Sequence, residues 1–250
     1  MSQGSNYEQI LGVRFYVGDS QGAVDMVSEE GGLVVVPAAP ALKNLPVDHG
    51  YREALLGADF AITDSVMMVL LWNMIHKRRI PKFSGLKYLT MLLKRPEMQE
   101  AGKSFWVMPT PKAAERNLNW LRTHGVAVGP LDTYLAPLYG PVINDEELLR
   151  HLEERKPQHI ILGIGGGTQE RLGLFLKKNL SYRPAIHCIG AAIAFLSGDQ
   201  VHIPMWVDTL GMGWLLRTWS DPKRFFPRYW DARHLVPILL KYRDQLPVSS

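Results

Sequence analysis

The stretch that decides the fold of this chain runs from Gln158 to Glu170 and reads QHIILGIGGGTQE. Its first half is an apolar run typical of a buried strand, and its second half passes through clustered glycines into helix-forming residues. Glycine tolerates positive φ and lets the main chain approach a phosphate closely, while a helix start offers unpaired amide donors. The stretch predicts an anion-binding strand–turn–helix unit, although a tight connection without any ligand fits the same residues.

Two well-known phosphate-binding motifs do not fit this turn. A Walker loop needs a Gly-Lys-Ser/Thr sequence, which does not follow here. The dinucleotide fingerprint begins with Gly163 and Gly165, but Thr168 stands where its third glycine belongs. An oxidoreductase that binds NAD at this turn therefore stays open only as a less favoured alternative.

Strands alternate with helices over most of the chain. Apolar runs that we interpret as strands lie at 13–17, 32–36, 59–62, 104–108, 125–128, 158–163 and 185–190. Most of them are continuously apolar, which is typical of strands that are buried on both faces. The pattern predicts an α/β, Rossmann-like fold with a mainly parallel sheet and helices on both faces.

The composition changes after Gly198. The segment 217–244 contains seven Lys or Arg against three Asp, which accounts for the whole formal net charge of +4. Prolines divide this aromatic and Arg-rich tail into short helices. We therefore predict an α/β catalytic domain over residues 1–200 and a basic, helical C-terminal appendage over residues 201–250.

Several classes of protein are disfavoured by composition. Cys188 is the only cysteine, so neither an intrachain disulfide nor a cysteine zinc site is available. The histidines lack the spacing of a metal site, and we expect no metal and no cofactor. The polar N-terminus does not resemble an export signal, and the longest apolar run, Val66 to Ile75, is too short to span a bilayer. We expect a cytoplasmic protein without a membrane-spanning helix.

Polar residues follow two of the predicted strands at the sheet edge where ligands collect. Asp64 comes two residues after one strand and fits a general base, but it fits a helix N-cap as well. Gln169 follows the glycine turn and could hydrogen-bond a ribose or a uracil edge. Glu170 is favourable in the first turn of a helix through the helix dipole alone. The residues alone leave these alternatives open.

Aromatic residues alternate with arginines in the tail. This pattern fits a membrane-surface helix, a clamp on a diphosphate, a nucleic-acid surface, or a helix packing its aromatics on the domain. The planar guanidinium matches phosphate oxygens better than an ammonium does. Arg217, Arg224 and Arg228 are therefore the sharpest candidates for an anion contact.

Taken in order, five segments resemble the WecG/TagA/CpsF family of bacterial glycosyltransferases. They are Ala58 to Asp64 (the family's Ala-Asp-x-x-x-Pro-Asp-Gly), Lys82 to Gly85 (Arg-Val-x-Gly), Gly163 to Glu170 (Gly-x-Pro-Lys-Gln-Glu), Gly190 to Gly198 with His202 to Pro204 (a glycine-rich segment before Arg-Ala-Pro), and Leu210 to Tyr229 (Glu-Trp…Arg…Pro-x-Arg…Arg-Tyr). The resemblance implies an inverting, metal-independent transfer from a UDP-sugar to a polyprenyl-pyrophosphate-linked saccharide during exopolysaccharide or cell-surface polysaccharide synthesis.

The resemblance also implies roles for individual residues. Asp64 matches the family's proposed general base, and Lys82 is assigned to the diphosphate or the acceptor. The residues implied to bind the UDP-sugar are Gly163, Gly165, Gly166, Gly167, Thr168, Gln169 and Glu170. Arg217, Arg224 and Arg228 fall in an appendage that approaches the anionic inner face of the plasma membrane and contacts the diphosphate or acceptor. No nucleic-acid partner is implied, and a homo-oligomer is compatible with the pattern.

The chain departs from the family pattern at several polar positions. Val36 to Ala39 replace a Thr-x-Asn, Ser65 replaces the glycine after the aspartate, and Thr168 replaces a lysine. Gly213 stands where the family has the glutamate before Trp214. These departures indicate another sugar or acceptor, and they keep a non-catalytic nucleotide-sugar-binding or scaffold protein of a polysaccharide assembly complex open as an alternative.

Overall fold

A single mostly parallel sheet forms the centre of the molecule. The computed structural model describes residues 6–76, 79–198, 200, 203–209 and 211–248, without the side chains of Met205, Thr209 and Arg224. In this part of the chain, eight strands lie in the order β1-β2-β4-β3-β8-β7-β5-β6. They are β1 Tyr7–Ile10, β2 Val13–Tyr16, β3 Gly32–Val35, β4 Phe60–Ile62, β5 Ser104–Met108, β6 Thr133–Leu135, β7 His159–Leu162 and β8 Ala185–Cys188. All neighbours are parallel except the hairpin of β1 and β2.

Helices connect most of the parallel strands, because two parallel strands need a crossover connection between them. They are α1 Ser20–Glu30, α2 Ala39–Leu42, α3 His49–Leu56, α4 Val66–His76, α5 Gly85–Leu92, α6 Pro111–Thr123, α7 Glu146–Arg155, α8 Thr168–Asn179, α9 Ala192–Leu196, α10 Met205–Thr209, α11 Gly213–Ser220, α12 Pro222–Asp231 and α13 Leu235–Tyr242. Short 3₁₀ turns lie at Pro96–Gln99, Pro130–Asp132 and Ala232–His234.

The sheet is buried on both faces. Leu33 and Val35 point into one apolar core with residues of α3, α4, α8 and α13, while Val34 points into another with residues of α1, α5 and α6. Alternation of side chains along a strand places successive residues on opposite faces, so both layers must be covered. The predicted α/β, Rossmann-like fold with helices on both faces is confirmed.

The prediction of a strand at 125–128 is wrong. Gly125 lies in a turn with φ +82°, and Val126 and Val128 are buried as irregular chain beneath the second core. The Ala127 amide donates to the carbonyl of Met98 at 3.1 Å instead of to a strand. The edge strand follows later, at Thr133–Leu135. The apolar residues at 125–128 therefore reflect burial and not sheet pairing.

The end of the chain returns to the body of the protein. Leu235 and Leu239 of α13 are fully buried in the first core, and α13 packs against α4. The amides of Leu11 and Gly12, in the hairpin between β1 and β2, donate to the carbonyls of Arg243 and Asp244. The predicted division at residue 200 falls beside residues 199, 201 and 202, which lie outside the described part, as do His202 and Leu210 of the matched motifs.

Candidate active site

Five parallel strands end around one cleft at the carboxyl edge of the sheet. The cleft has a volume of about 290 Å³ and is lined by residues that lie one or two positions after these strands, namely Val36, Asp64, Pro109, Gly163 and Ile189. Parts of the glycine turn, together with Arg217 and Arg228, complete its walls. We call this cavity the polar cleft. Its position is the one where open α/β sheets bind ligands.

Asp64 lines the polar cleft and lies two residues after the end of β4. Its Oδ1 accepts a hydrogen bond from the amide of Gly85 at 2.9 Å, and no described residue donates to Oδ2. Burial raises the pKa of the Asp64 carboxyl, while the Gly85 bond and the charges of Lys82 and Arg217 oppose this rise. The carboxylate lines the cleft, is held in place through one oxygen, and keeps the other without a donor among the described residues.

The N-cap alternative for Asp64 is not what the structure shows. The hydroxyl of Ser65 accepts from the amide of Met68 at 3.2 Å, and its carbonyl accepts from Val69. Ser65 therefore satisfies the first turn of α4, which leaves Asp64 free of a capping role.

Lys82 is engaged by a second carboxylate. Its ammonium lies 3.1 Å from Oδ1 of Asp208 and also donates to the Asp208 carbonyl. The hydroxyl of Ser84 donates to Oδ2 of the same residue. Asp208 lines the polar cleft and its charge raises the pKa of Asp64. The role of Lys82 at a diphosphate stays a prediction, and Asp208 is a site residue that the sequence did not reveal.

Arg217 is held in a position that suits the binding of a phosphate group. Its guanidinium stacks on the ring of Phe195, 4.1 Å from the centroid, and Nη1 donates to the hydroxyl of Tyr229 at 3.4 Å. Its Nε is buried and has no hydrogen-bond partner among the described residues. An orphaned buried donor is costly, so this N–H is suited to an incoming acceptor.

The other two predicted arginines lie on α12. Arg228 is exposed, lines the polar cleft, and makes no ion pair with the part of the chain that the structure describes. Arg224 belongs to the same helix, but its side chain lies outside the described part. The structure thus brings Arg217 and Arg228 to the cleft with Asp64 and the glycine turn.

The glycine turn connects β7 to α8 with an open surface. Gly167 has φ +90°, a conformation that favours glycine, and a side chain added at Gly165, Gly166 or Gly167 would meet nothing within 4 Å. The Gly167 amide is directed inward, donating to Oε2 of Glu170 at 2.6 Å. The open space above the turn can receive a ligand close to the main chain, with the first turn of α8, beginning at Thr168, beside it.

Gln169 and Glu170 are buried and face the protein. Oε1 of Gln169 accepts from the Gly190 amide at 2.7 Å, and its Nε2 donates to Glu170 and to the carbonyl of Cys188. The exposed fractions of Gln169 and Glu170 are 2% and 1%, and burial raises the pKa of Glu170. The pair ties the glycine turn to the turn after β8. Their direct contact with a UDP-sugar stays a prediction, because their amide and carboxyl groups already bond protein groups.

A second cavity adjoins the polar cleft. It measures about 530 Å³, and its walls are apolar residues of α4 and α11, namely Val66, Met67, Leu70, Leu71 and Trp214. We call it the apolar pocket. Asp64, Asp208 and Arg217 line both cavities and so form the boundary between them. Among the described residues, no helix is both long enough and apolar enough to cross a membrane.

Comparison with known proteins identifies the family of the chain. The model of the glycosyl transferase WecG/TagA/CpsF family matches residues 8–247, nearly the whole chain. A search of curated protein sequences gives no significant match. The family consists of glycosyltransferases of cell-surface polysaccharide biosynthesis, which in general use a nucleotide-sugar donor and a lipid-linked acceptor. Because the match covers almost its full length, this chain belongs to the WecG/TagA/CpsF family of glycosyltransferases.

Proposed function

We propose that the protein transfers a hexose from a UDP-sugar to a polyprenyl-pyrophosphate-linked saccharide, with inversion and without a metal. The observation that carries this proposal is the state of Asp64, which lines the cleft, is held by the Gly85 amide through one oxygen, and has no described donor at the other. Such a carboxylate can accept the proton of an acceptor hydroxyl as that oxygen attacks the anomeric carbon. Attack from the face opposite the departing UDP inverts the configuration.

The donor half of the proposal rests on the glycine turn. Its exposed main chain offers space for the diphosphate of the UDP-sugar beside the first turn of α8. Gln169 and Glu170 keep the two turns in register and shape the space between them.

The negative charge that develops on the leaving diphosphate needs compensation. Arg217 is fixed by Phe195 and Tyr229 before any ligand arrives, and Arg228 and Arg224 follow on α12. Donors that are already oriented stabilise a developing charge without reorganisation. In this proposal the guanidinium groups of Arg217 and Arg228 supply the positive charge without a metal ion.

The same C-terminal helices support peripheral attachment to the inner face of the plasma membrane. The side chains of Trp219 and Trp230 are 89% and 60% exposed, and Phe226 is 57% exposed. Exposed aromatics among Lys and Arg are suited to an anionic bilayer surface, where their rings enter the headgroup region. Such attachment would place the cleft beside a lipid-linked acceptor.

A transfer assay tests the reaction class. Purified protein is incubated with a panel of UDP-sugars and of lipid-diphosphate saccharides, and both UDP release and the mass of the lipid product are recorded. We expect UDP release that depends on the acceptor, persists in a chelator, and yields a product heavier by one hexose-type unit. No turnover over the panel would contradict the proposal.

One observation favours a second candidate, a non-catalytic nucleotide-sugar-binding protein of the assembly complex. Val36 and Ala38 give the polar cleft apolar wall positions where the family pattern has polar residues. Titration with UDP separates the two candidates, because tight UDP binding without turnover on any acceptor supports the binding protein.

A further inference from the structure

We propose that the apolar pocket binds the first isoprenoid units of the acceptor, next to its diphosphate. This inference rests on the proposed function and adds to it a separate place for the lipid. The polar cleft then holds the nucleotide sugar, and the boundary residues Asp64 and Arg217 lie between donor and acceptor.

The two ends of the apolar pocket differ in chemistry. Val66, Met67, Leu70 and Leu71 present the apolar side of α4, and Trp214 faces them from α11. At the other end the lining is charged, with Asp64, Lys82, Asp208 and Arg217. A ligand that matches both ends carries an apolar chain joined directly to an anionic group. A prenyl diphosphate has this construction, whereas a free sugar or a free nucleotide does not.

The charged end has one donor available for an anion. Lys82 is already neutralised by Asp208 at 3.1 Å, so it contributes little free positive charge. Arg217 instead keeps a buried Nε without a partner among the described residues, and its ring contact with Phe195 fixes the guanidinium. A diphosphate bound at Arg217 would extend its lipid along α4 and would direct its first sugar towards Asp64.

The mouth of the pocket reaches the protein surface. Leu70 is 64% exposed and Trp214 is 44% exposed, and Trp206 and Trp219 lie on the neighbouring helices α10 and α11. Exposed apolar surface that continues into a cavity is expected where a ligand enters from a bilayer. A lipid chain can therefore remain partly in the membrane while its diphosphate end occupies the pocket.

Calorimetric titration of the full chain with soluble ligands tests the assignment. Farnesyl diphosphate is compared with inorganic pyrophosphate, which has the same anionic group and no chain. We expect the farnesyl compound to bind at least tenfold more tightly. Leu70→Asp should remove at least tenfold of that affinity and leave pyrophosphate binding unchanged. Met74→Asp is the matched control, since Met74 lies one turn further on α4, is 69% exposed, and is outside the pocket lining.

Three outcomes would overturn the assignment. They are equal affinity for the two diphosphates, equal effects of the Leu70 and Met74 substitutions, and equally tight binding of a short-chain phosphatidylglycerol, which would identify a general lipid surface. Thermal unfolding of each variant verifies that it is folded. Titration with UDP separates this inference from the function itself. Retained UDP binding without farnesyl selectivity refutes the lipid pocket alone, whereas farnesyl selectivity without sugar transfer refutes the reaction alone.

Discussion

Gln169 shows how a buried amide can control a ligand site without touching the ligand. It connects the turn after β7 to the turn after β8 through the Gly190 amide at 2.7 Å and the Cys188 carbonyl at 3.3 Å. Both turns line the polar cleft. If this connection is lost, the buried Cys188 carbonyl and the half-buried Gly190 amide lose their bonds to Gln169, and the distance between the turns is no longer fixed.

Gln169→Ala should therefore affect stability and binding together. We expect the free energy of unfolding to fall by about 1–3 kcal/mol, the cost of unpaired buried polar groups. UDP affinity should fall with it. Gln21→Ala is the control, because Gln21 is exposed on α1 and its side chain hydrogen-bonds Asp25 alone within the described part of the chain. Urea unfolding and UDP titration give the two quantities. Unchanged stability with lost UDP affinity would instead mean that Gln169 contacts the nucleotide directly.

The pKa of Asp64 gives the reaction a predictable pH dependence. Burial holds this pKa above its usual value, and the charge of Asp208 raises it further. A general base must be ionised, so kcat/KM should fall as the pH drops through the pKa of Asp64. Asp208→Asn removes a negative charge and leaves the positive charge of Lys82 without its carboxylate partner, and both changes favour the ionised form of Asp64.

We expect the acidic limb of the pH–rate profile to move to lower pH in Asp208→Asn. The measurement is kcat/KM for acceptor-dependent UDP release between pH 4.5 and 8 in the wild type and the variant. A limb that stays in place, or that moves to higher pH, would show that another group controls it.

The two carboxylates of the site differ in how readily sequence reveals them. Asp64 was predictable because it follows a strand in the local pattern. Asp208 was not, because its partners Lys82 and Ser84 lie 126 and 124 residues away along the chain. The protein partners of Gln169 were not predictable for the same reason, since Cys188 and Gly190 lie 19 and 21 residues away along the chain.

At the scale of elements, three buried side chains link α5 to the centre of the sheet. The hydroxyl of Tyr88 lies 2.7 Å from Nδ1 of His187, and Nε2 of His187 lies 3.1 Å from Nδ1 of His159. Nε2 of His159 is buried and has no partner among the described residues. Burial lowers the pKa of His159 to about 4 and the pKa of His187 well below its usual value. Glu97 opposes the shift at His159 only in part.

These histidines should make the fold less stable in mild acid. Because their folded pKa values lie below the unfolded value, the unfolded chain binds more protons as the pH falls from about 6.5 to 4. The free energy of unfolding should then decrease by about 1.4 kcal/mol per pH unit for each histidine. Urea unfolding between pH 7.5 and 5 measures this slope.

His159→Gln serves as the comparison for that slope. The variant lacks one of the two titrating groups, so its stability should depend less steeply on pH than that of the wild type. The difference between the two curves isolates the histidine from the carboxyl groups. Parallel curves would contradict the assignment.

The sequence predicts where helices and strands lie better than it predicts which residues cap them. The strand before the glycine turn and the helix after it follow from periodicity and glycine placement. The structure of the segment 125–128 does not follow from its sequence, because a buried loop and a buried strand have the same apolar composition. The N-cap of α4 was also not predictable, because Asp64 and Ser65 are adjacent and both residue types cap helices. The structure shows that the Ser65 hydroxyl is the cap.

At the scale of the whole molecule, the C-terminal region has two parts with different behaviour. α13 is part of the first core, and the chain after it pairs with the hairpin of β1 and β2. Helices α10 to α12 instead carry the exposed tryptophans. Deleting everything after Gly211 would remove α13 and unfold the core, so membrane binding has to be tested with point substitutions.

Substitution of exposed aromatics should release the protein from anionic vesicles. We expect Trp219→Asp combined with Trp230→Asp to lower vesicle affinity at least tenfold, since each inserted ring contributes on the order of 1.5–3 kcal/mol. Leu138→Asp is the control, because Leu138 is fully exposed in the loop after β6, at the far edge of the sheet. Flotation with phosphatidylglycerol vesicles measures the affinity. Equal flotation of both variants and the wild type would refute this membrane surface.

The sequence revealed the family and the fold because ordered motifs and strand–helix alternation are local properties. It did not reveal the apolar pocket, whose walls come from α4 and α11, or the return of α13 to the core. Those features depend on packing between segments that are far apart in the chain.

The most direct test of the account is acceptor-dependent UDP release by Asp64→Asn. Asparagine keeps the shape and the Gly85 hydrogen bond but cannot accept a proton from the acceptor. We predict a loss of kcat of about 10²–10⁴-fold, with UDP affinity unchanged, while Asp19→Asn, which alters only the cap of α1, retains full activity. Turnover by Asp64→Asn at the wild-type rate would contradict the central claim that Asp64 is the general base.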